Sequence, residues 1–317
     1  MERILTNNLT TEVYLKRQEI SEAIRHPQDN LISIIGPCPM VDEPQIILKE
    51  ASVKTDLENE HDKLTVLDRQ CFTKPRTNPA DWQGLDSSNP EAVQEIISNL
   101  SDSYGNAAAE IRFERNLVNY ANYLSFIWTG ARNISDNNII NLIAMHDPTL
   151  PIGIKNGLDG EIEQALEHVQ YINDIRPKGS APAVLIYRGG ENAMNPAESA
   201  DMYKRAHDAT DGRIIRDNAH GVEMAHHPDG NFKKSIEGQI IASAATIELA
   251  KQGFAPLGVM YEASELESIM DPHMPLETAI KHTELMYAAR FGSIVTSNEI
   301  SYKNLPHHGF GGKKILA

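Results

Sequence analysis

The chain has 317 residues, of which 41% are hydrophobic and 23% charged, a composition ordinary for a folded globular protein. Its formal net charge of -15 at pH 7 opposes binding to nucleic acid or to an anionic membrane surface, because both are polyanions. No apolar run reaches the roughly 18 residues of a membrane span, and the amino terminus lacks the basic and apolar segments of a secretory signal. We therefore expect a cytoplasmic protein whose two cysteines, Cys38 and Cys71, remain thiols or bind a metal.

In chain order, one helical segment is followed by short apolar runs that alternate with helical segments. Residues 12–26 carry apolar side chains at helical spacing and lead into a turn at 27–30. Strands are predicted at 31–36, 63–69, 107–111, 126–131, 151–155, 182–188, 213–217 and 257–262. Helices are predicted at 43–56, 89–100, 115–123, 136–145, 160–174, 195–209, 235–252 and 276–291.

This strict alternation predicts an α/β fold, a parallel (β/α)8 TIM barrel, with a doubly wound open sheet as the alternative. The third strand, Ala-Ala-Ala-Glu-Ile, is the weakest of the eight because alanine also suits a helix. We expect an N-terminal helical extension over residues 1–30, the barrel over 31–292 and a C-terminal tail over 293–317.

Cationic side chains recur where the predicted strands end. In a β/α barrel the carboxyl ends of the strands carry the chemistry. Six cations lie there or just beyond: Arg69, Lys74, Arg76, Arg132, Lys155 and Arg188. Each alone could pair with a nearby carboxylate, but six in one mouth repel one another unless anions occupy it. Because arginine and lysine bind carboxylate and phosphate, the pattern predicts a substrate with several anionic groups.

A second set of side chains at the strand ends can bind a metal. It comprises Cys38, His220, Glu262 and Asp271, from the first, seventh and eighth strand regions, which become neighbours when a barrel closes. Sulfur, nitrogen and oxygen ligands together suit a divalent Mn, Fe, Co or Zn ion. The spacing matches no zinc-finger motif, and a single buried cysteine or histidine is commonly structural, so the prediction depends on the barrel.

The residues at the strand ends resemble those of a known family, the class I 3-deoxy-D-arabino-heptulosonate 7-phosphate (DAHP) synthases, which open the shikimate pathway of aromatic amino acid biosynthesis. The matching segments occur in order from about residue 31 to residue 290. They are 35–38, Arg69 with 74–77, Ala109-Glu110, 130–132, 153–160, 188–190, 217–220, 258–264 and 269–271. The family fold is a β/α barrel, in agreement with the alternation.

The resemblance implies a role for each matched residue. Cys38, His220, Glu262 and Asp271 correspond to the metal ligands. Arg69, Lys74, Arg132, Lys155 and Arg188, with Gly130 and Ala131, correspond to the phosphoenolpyruvate site, while Arg76 and Thr77 correspond to the grip on the phosphate of erythrose 4-phosphate. Glu110 falls beside the carbon that water attacks, and we expect Lys74, Glu110, Lys155 and His220 to be catalytic.

The implied reaction joins phosphoenolpyruvate to a phosphorylated aldose in a metal-dependent, aldol-type condensation that releases inorganic phosphate. The segments after Cys38 and after His220 depart from the family pattern, which leaves the aldehyde open. The alternatives are another aldehyde, arabinose 5-phosphate included, and an inactive relative that binds an anionic metabolite. We also expect a homodimer or homotetramer, and little feedback inhibition by phenylalanine or tyrosine, because residues 176–180 replace a much longer regulatory loop of the family.

Overall fold

The apolar runs of the sequence form eight parallel strands that hydrogen-bond in chain order and close into a barrel. The structure is a computed structural model that describes residues 9–37, 43–72, 85–157, 159, 161–190, 196–220, 236–265 and 273–292. The strands are β1 (Leu31–Gly36), β2 (Leu64–Gln70), β3 (Ala107–Ile111), β4 (Phe126–Thr129), β5 (Ile152–Lys155), β6 (Ala183–Tyr187), β7 (Ile214–Asp217) and β8 (Gly258–Glu262). Because β8 pairs with β1, the open-sheet alternative is excluded and the TIM-barrel prediction is confirmed.

The helices surround the barrel. They are α1 (Thr11–Arg25), α2 (Pro44–Asn59), α3 (Leu85–Ser88), α4 (Pro90–Tyr104), α5 (Glu114–Tyr120), α6 (Asn137–Met145), α7 (Glu163–Ile175), α8 (Pro196–Ala209), α9 (Ile236–Lys251) and α10 (Leu276–Phe291). Short 3-10 turns follow α5 and β4, at Ala121–Tyr123 and Ala131–Asn133. The sequence did not predict α3, and β4 ends before the predicted residue 131 because the chain turns after Gly130. No helix in the described ranges is both long and apolar enough to cross a membrane.

Alternating side chains fill the barrel and cover it. On β4, Phe126 and Trp128 point into the barrel, whereas Ile127 packs outward with the helices. Successive side chains of a strand face opposite sides, so alternate apolar residues of every strand except β5 belong to one interior cluster. At the carboxyl end this inward series changes from apolar to charged, which places the chemistry at that mouth.

Helix α1 closes the opposite, amino-terminal end of the barrel. Ile20, Ala23 and Ile24 belong to the same buried cluster as the barrel interior. The side chain of Arg17, also on this helix, is fully buried. It donates to the Leu124 and Ala121 carbonyl oxygens at 2.9 and 2.6 Å and pairs with Asp147 at 2.6 Å. The predicted N-terminal helix therefore forms the floor of the barrel.

Candidate active site

Nine of the predicted site residues lie in the described ranges, and most of them meet at the carboxyl-terminal mouth. They are Arg69, Glu110, Gly130, Ala131, Arg132, Lys155, Arg188, His220 and Glu262. Cys38, Lys74, Arg76, Thr77 and Asp271 lie outside the described residues. The predicted tail 293–317 lies outside them as well.

The inward side chains at the mouth contact one another around most of a ring. Arg69 donates to Glu262 at 2.7 Å, and Glu262 lies 3.5 Å from His220 Nε2. His220 Nδ1 contacts Asp217 at 3.0 Å, and Asp217 pairs with Lys155 at 2.9 Å.

Glu110 and Trp128 complete this ring. Lys155 Nζ lies 4.0 Å from the Glu110 carboxylate, which accepts from Trp128 Nε1 at 3.3 Å. The Arg69 guanidinium lies 5.9 Å from the centre of the Trp128 ring. Acids and bases from five strands, together with Trp128 from a sixth, are thus joined around one opening.

Two of the predicted cations are neutralised within the protein. Arg69 and Glu262 are both 1% exposed in their side chains, and Lys155 and Asp217 are 3% and 0% exposed. These buried pairs reduce the repulsion that the sequence predicted for six crowded cations, so anions are not needed to neutralise those two. Buried ion pairs of this kind need close geometry to offset desolvation, which favours fixed positions for both bases.

In the pair formed by His220 and Asp217, His220 is a neutral imidazole and Asp217 is an ionised carboxylate. Burial lowers the pKa of His220 to about 4, although Asp217 opposes that shift. Burial alone would raise the pKa of Asp217, but His220 and Lys155 hold it well below its usual range. Because a carboxylate only accepts hydrogen bonds, the His220 proton resides on Nδ1 and the Nε2 lone pair faces Glu262.

A missing side chain makes room for Glu110. Glu110 and Trp128 are register partners on β3 and β4, and Gly130 follows Trp128 by two residues. A Cβ at Gly130 would lie 2.5 Å from Glu110 Oε1, so only glycine allows this approach. Gly130 also accepts from the Asn133 backbone at 2.9 Å, which forms the 3-10 turn carrying Ala131 and Arg132.

Asn156 organises the end of β6. Its side-chain oxygen accepts from the Arg188 backbone N–H at 2.8 Å, and its amide donates to the Gly189 carbonyl at 3.4 Å. Gly189 has φ of +81°, a conformation that side chains other than glycine rarely adopt. Arg188, which is 3% exposed, is thereby fixed beside Lys155 on the neighbouring strand.

Sequence reasoning missed four contributors: Asp217, Trp128, Asn156 and Arg112. The first two face inward by strand alternation, but the sequence analysis took His220, three residues beyond Asp217, as the functional residue of the seventh strand and did not extend the alternation back to Trp128. Arg112 follows β3, and burial lowers its pKa, opposed by Glu110 and reinforced by the nearby Arg132. It adds a half-buried cation between Glu110 and Arg132.

One histidine–carboxylate group elsewhere in the described residues has ligand atoms within 4.8 Å of one another: Glu60, His61 and Glu284. It lies at the end of α2 and on α10, towards the amino-terminal end of the barrel and away from the mouth. It is therefore separate from the predicted metal centre, of which His220 and Glu262 are the described members.

The fold and the mouth together define a (β/α)8-barrel protein with buried acids and bases and several cations at the carboxyl ends of its strands. The DAHP synthetase I family model matches residues 12–276, and the chain belongs to that family. This confirms the resemblance and the prediction of an enzyme of the 3-deoxy-7-phosphoheptulonate synthase type.

Curated relatives and solved structures agree with the assignment. The chain is 26% identical to the tyrosine-inhibited phospho-2-dehydro-3-deoxyheptonate aldolase of Candida albicans, over 84% of this chain and 82% of the relative. It is 24% identical to the Phe-sensitive enzyme of Escherichia coli K12, over 83% and 80%. The fold matches the phospho-2-dehydro-3-deoxyheptonate aldolase of Francisella tularensis with a TM-score of 0.70 at 20% identity, over 91% of this chain and 97% of that chain.

Proposed function

We propose that this protein condenses phosphoenolpyruvate with erythrose 4-phosphate in a metal-dependent reaction that yields DAHP and inorganic phosphate. This is the first step of aromatic amino acid biosynthesis. The observation that carries the proposal is the closed ring at the mouth, which joins a metal-capable His–Glu pair to buried cations in a member of this family. The enzyme is proposed to work in the cytoplasm as a homodimer or homotetramer.

The described residues fit a divalent metal. Two ligands about 2.1 Å from one ion at a tetrahedral angle lie about 3.4 Å apart. His220 Nε2 and Glu262 Oε1 are 3.5 Å apart, and the hydrogen bond at Nδ1 leaves Nε2 available. Cys38 and Asp271 are the proposed remaining ligands. A Mn, Fe, Co or Zn ion would supply Lewis acidity to the aldehyde carbonyl.

The cations hold the phosphoenolpyruvate. Arg188, Arg132 and Lys155, with Lys74, are proposed to bind its carboxylate and phosphate, and Arg69 supports the site through Glu262. Gly130 and Ala131 are proposed to contribute backbone groups to the phosphoenolpyruvate site. Arg76 and Thr77 are proposed to bind the phosphate of the aldose. Fixed positive groups orient the reactants and stabilise charge as it moves, without reorganisation during the reaction.

Glu110 is the proposed base for water. The new carbon–carbon bond forms between C3 of phosphoenolpyruvate and the aldehyde carbon, the aldehyde oxygen takes up a proton to become a hydroxyl, and positive charge is left at C2. Water adds at C2 and gives its proton to Glu110, which Trp128 and Lys155 hold in place; Glu110 then releases that proton, which balances the one taken up by the aldehyde oxygen. The C2–O bond to phosphate then breaks with its electron pair on the phosphate, the C2 hydroxyl passes its proton to the departing phosphate and becomes the ketone, and inorganic phosphate leaves.

Replacement of a proposed metal ligand tests this function. In Cys38→Ala, we expect metal-dependent turnover to be lost while phosphoenolpyruvate binding, measured by calorimetry, is retained. Cys71→Ala is the matched control, because Cys71 is buried just after β2 and is not a proposed ligand. Full turnover in Cys38→Ala would contradict the proposed metal centre.

A further inference from the structure

Asp217 contacts Ala219, Lys155 and His220 at the mouth, although no role at the site had been predicted for it. It is fully buried at the end of β7. Its Oδ1 accepts from the Ala219 backbone N–H at 3.0 Å, and its Oδ2 accepts from Lys155 at 2.9 Å. His220 Nδ1 lies 3.2 Å from Oδ1 and 3.0 Å from Oδ2.

The backbone around Asp217 is fixed on both sides. The Asn218 N–H donates to the Met260 carbonyl on β8 at 2.9 Å, and the Asn218 side chain accepts from Thr246 on α9 at 2.8 Å. The turn from Asp217 to His220 is therefore anchored to a neighbouring strand and to a helix. Movement of the carboxylate would break bonds to Lys155 and to the backbone together.

These contacts determine which face of the imidazole is available. The carboxylate of Asp217 accepts from the Ala219 N–H and from Lys155, so the His220 Nδ1 that faces the same oxygens carries a hydrogen. The Nε2 lone pair then points towards Glu262 Oε1, 3.5 Å away. With the opposite tautomer, Nε2 would carry a hydrogen and could not bind a metal.

We infer that Asp217 is a positioning residue that fixes both the tautomer and the orientation of His220, so that Nε2 is ready to bind the divalent metal. Lys155 serves as its counter-charge, 2.9 Å from Oδ2. This inference rests on the proposed function, because it assumes that His220 is a metal ligand. Carboxylates behind metal-binding histidines typically change metal affinity by about 10- to 100-fold.

The first measurement is made on the wild-type protein, so it does not depend on a variant that folds. The chain is labelled with ¹⁵N in its 12 histidines, and the His220 signals are identified by their loss in His220→Gln. We expect hydrogen on Nδ1 and none on Nε2 at neutral pH. A His220 that carries its hydrogen on Nε2 would overturn the inference.

The second measurement compares Asp217→Asn with Glu161→Gln, which removes one negative charge from an exposed residue after β5. We expect Asp217→Asn to bind Mn²⁺ about 10- to 100-fold more weakly than Glu161→Gln, with phosphoenolpyruvate binding still measurable. Equal Mn²⁺ affinity in the two variants would refute the positioning role alone. A wild-type protein that binds neither Mn²⁺ nor phosphoenolpyruvate would instead refute the proposed function.

Discussion

At the scale of single residues, the site depends on close approaches that the barrel geometry imposes. Glu110, Trp128 and Gly130 lie on neighbouring strands, and the carboxylate occupies the space where a Gly130 side chain would be. The backbone at Gly130 has φ of −72° and ψ of 154°, which alanine adopts without strain. A substitution there acts through Glu110 and not through backbone strain.

We predict that Gly130→Ala lowers kcat by about 10²-fold or more, because the new methyl displaces the proposed base. The thermal midpoint should change little by comparison. The control is a double-mutant cycle with Glu110→Gln, in which Gly130→Ala should have little further effect on kcat. Additive losses in the double variant would show that the methyl acts elsewhere.

His282 on α10 provides a pH test of a buried residue away from the mouth. It is fully buried, and neither ring nitrogen has a hydrogen-bond partner among the described residues. Burial lowers its pKa to about 4, whereas an unfolded histidine titrates near 6.5. Between these values the unfolded chain binds one more proton, so stability falls as pH decreases from about 6.5 to about 4.

We predict that His282→Leu removes this proton uptake and flattens the dependence of unfolding free energy on pH. The difference in slope should reach about 1.4 kcal/mol per pH unit in the middle of the range. Urea unfolding from pH 7 to pH 4.5 measures it. His26→Gln is the control because His26 is 64% exposed and should leave the slope unchanged. Parallel curves for His282→Leu and wild type would disprove the assignment.

At the scale of elements, a buried arginine adds a polar anchor to the apolar packing of α1 against the barrel. Arg17 binds two backbone carbonyls before β4 and pairs with Asp147 before β5. Arg25 on the same helix pairs with an exposed glutamate and reaches the Ser180 carbonyl at the surface. Arg17 and Arg25 therefore allow the contributions of a buried and an exposed cation to be compared on the same helix.

We predict that Arg17→Met lowers the free energy of unfolding by about 3–5 kcal/mol, because it leaves a buried carboxylate and two carbonyls without their donor. Arg25→Met should cost less than about 1 kcal/mol. Urea denaturation followed by circular dichroism gives both values. Similar losses in the two variants would mean that burial of Arg17 does not secure the floor.

The connection between α7 and β6 is short and internally bonded. It spans residues 176–182, and the buried Arg176 donates to five backbone carbonyls, those of Ile143, Ala144, Asp147, Leu150 and Ala181. The turn borders an open cleft of about 250 Å³, smaller than the roughly 300–1,000 Å³ of typical ligand sites. An aromatic amino acid therefore has little enclosed space there.

We predict that saturating phenylalanine or tyrosine leaves turnover unchanged. The Phe-sensitive Escherichia coli relative, assayed in parallel, serves as the positive control. Strong inhibition of this chain by either amino acid would show that a regulatory site exists, either at the short connection or elsewhere.

The elements were largely predictable from the sequence because each strand is a continuous buried run bounded by turns. Even the alanine-rich β3 forms a strand, since Ala108 fits beside Phe126 and Trp128 in the interior while Ala107 and Ala109 face outward. The placement of α1 was not predictable, because Arg17 and Asp147 are 130 residues apart in sequence. Asp217 was missed for a related reason: its role depends on Lys155 from another strand.

At the scale of the whole molecule, an acidic chain concentrates cations at one end of its barrel. The net charge is -15, yet Arg69, Arg132, Lys155 and Arg188 all belong to the mouth. Buried carboxylates neutralise part of that charge, and the remaining cations favour small anions over polyanions, which the overall charge repels. This distribution suits a site for phosphorylated metabolites.

The most direct test of this account is phosphate release from phosphoenolpyruvate by the purified protein with Mn²⁺, with and without EDTA. The panel of aldehydes comprises erythrose 4-phosphate, arabinose 5-phosphate, ribose 5-phosphate and unphosphorylated tetroses. We expect turnover with erythrose 4-phosphate that EDTA abolishes. Turnover confined to another aldehyde would contradict the proposed acceptor, and metal and phosphoenolpyruvate binding without any turnover would contradict the proposed activity.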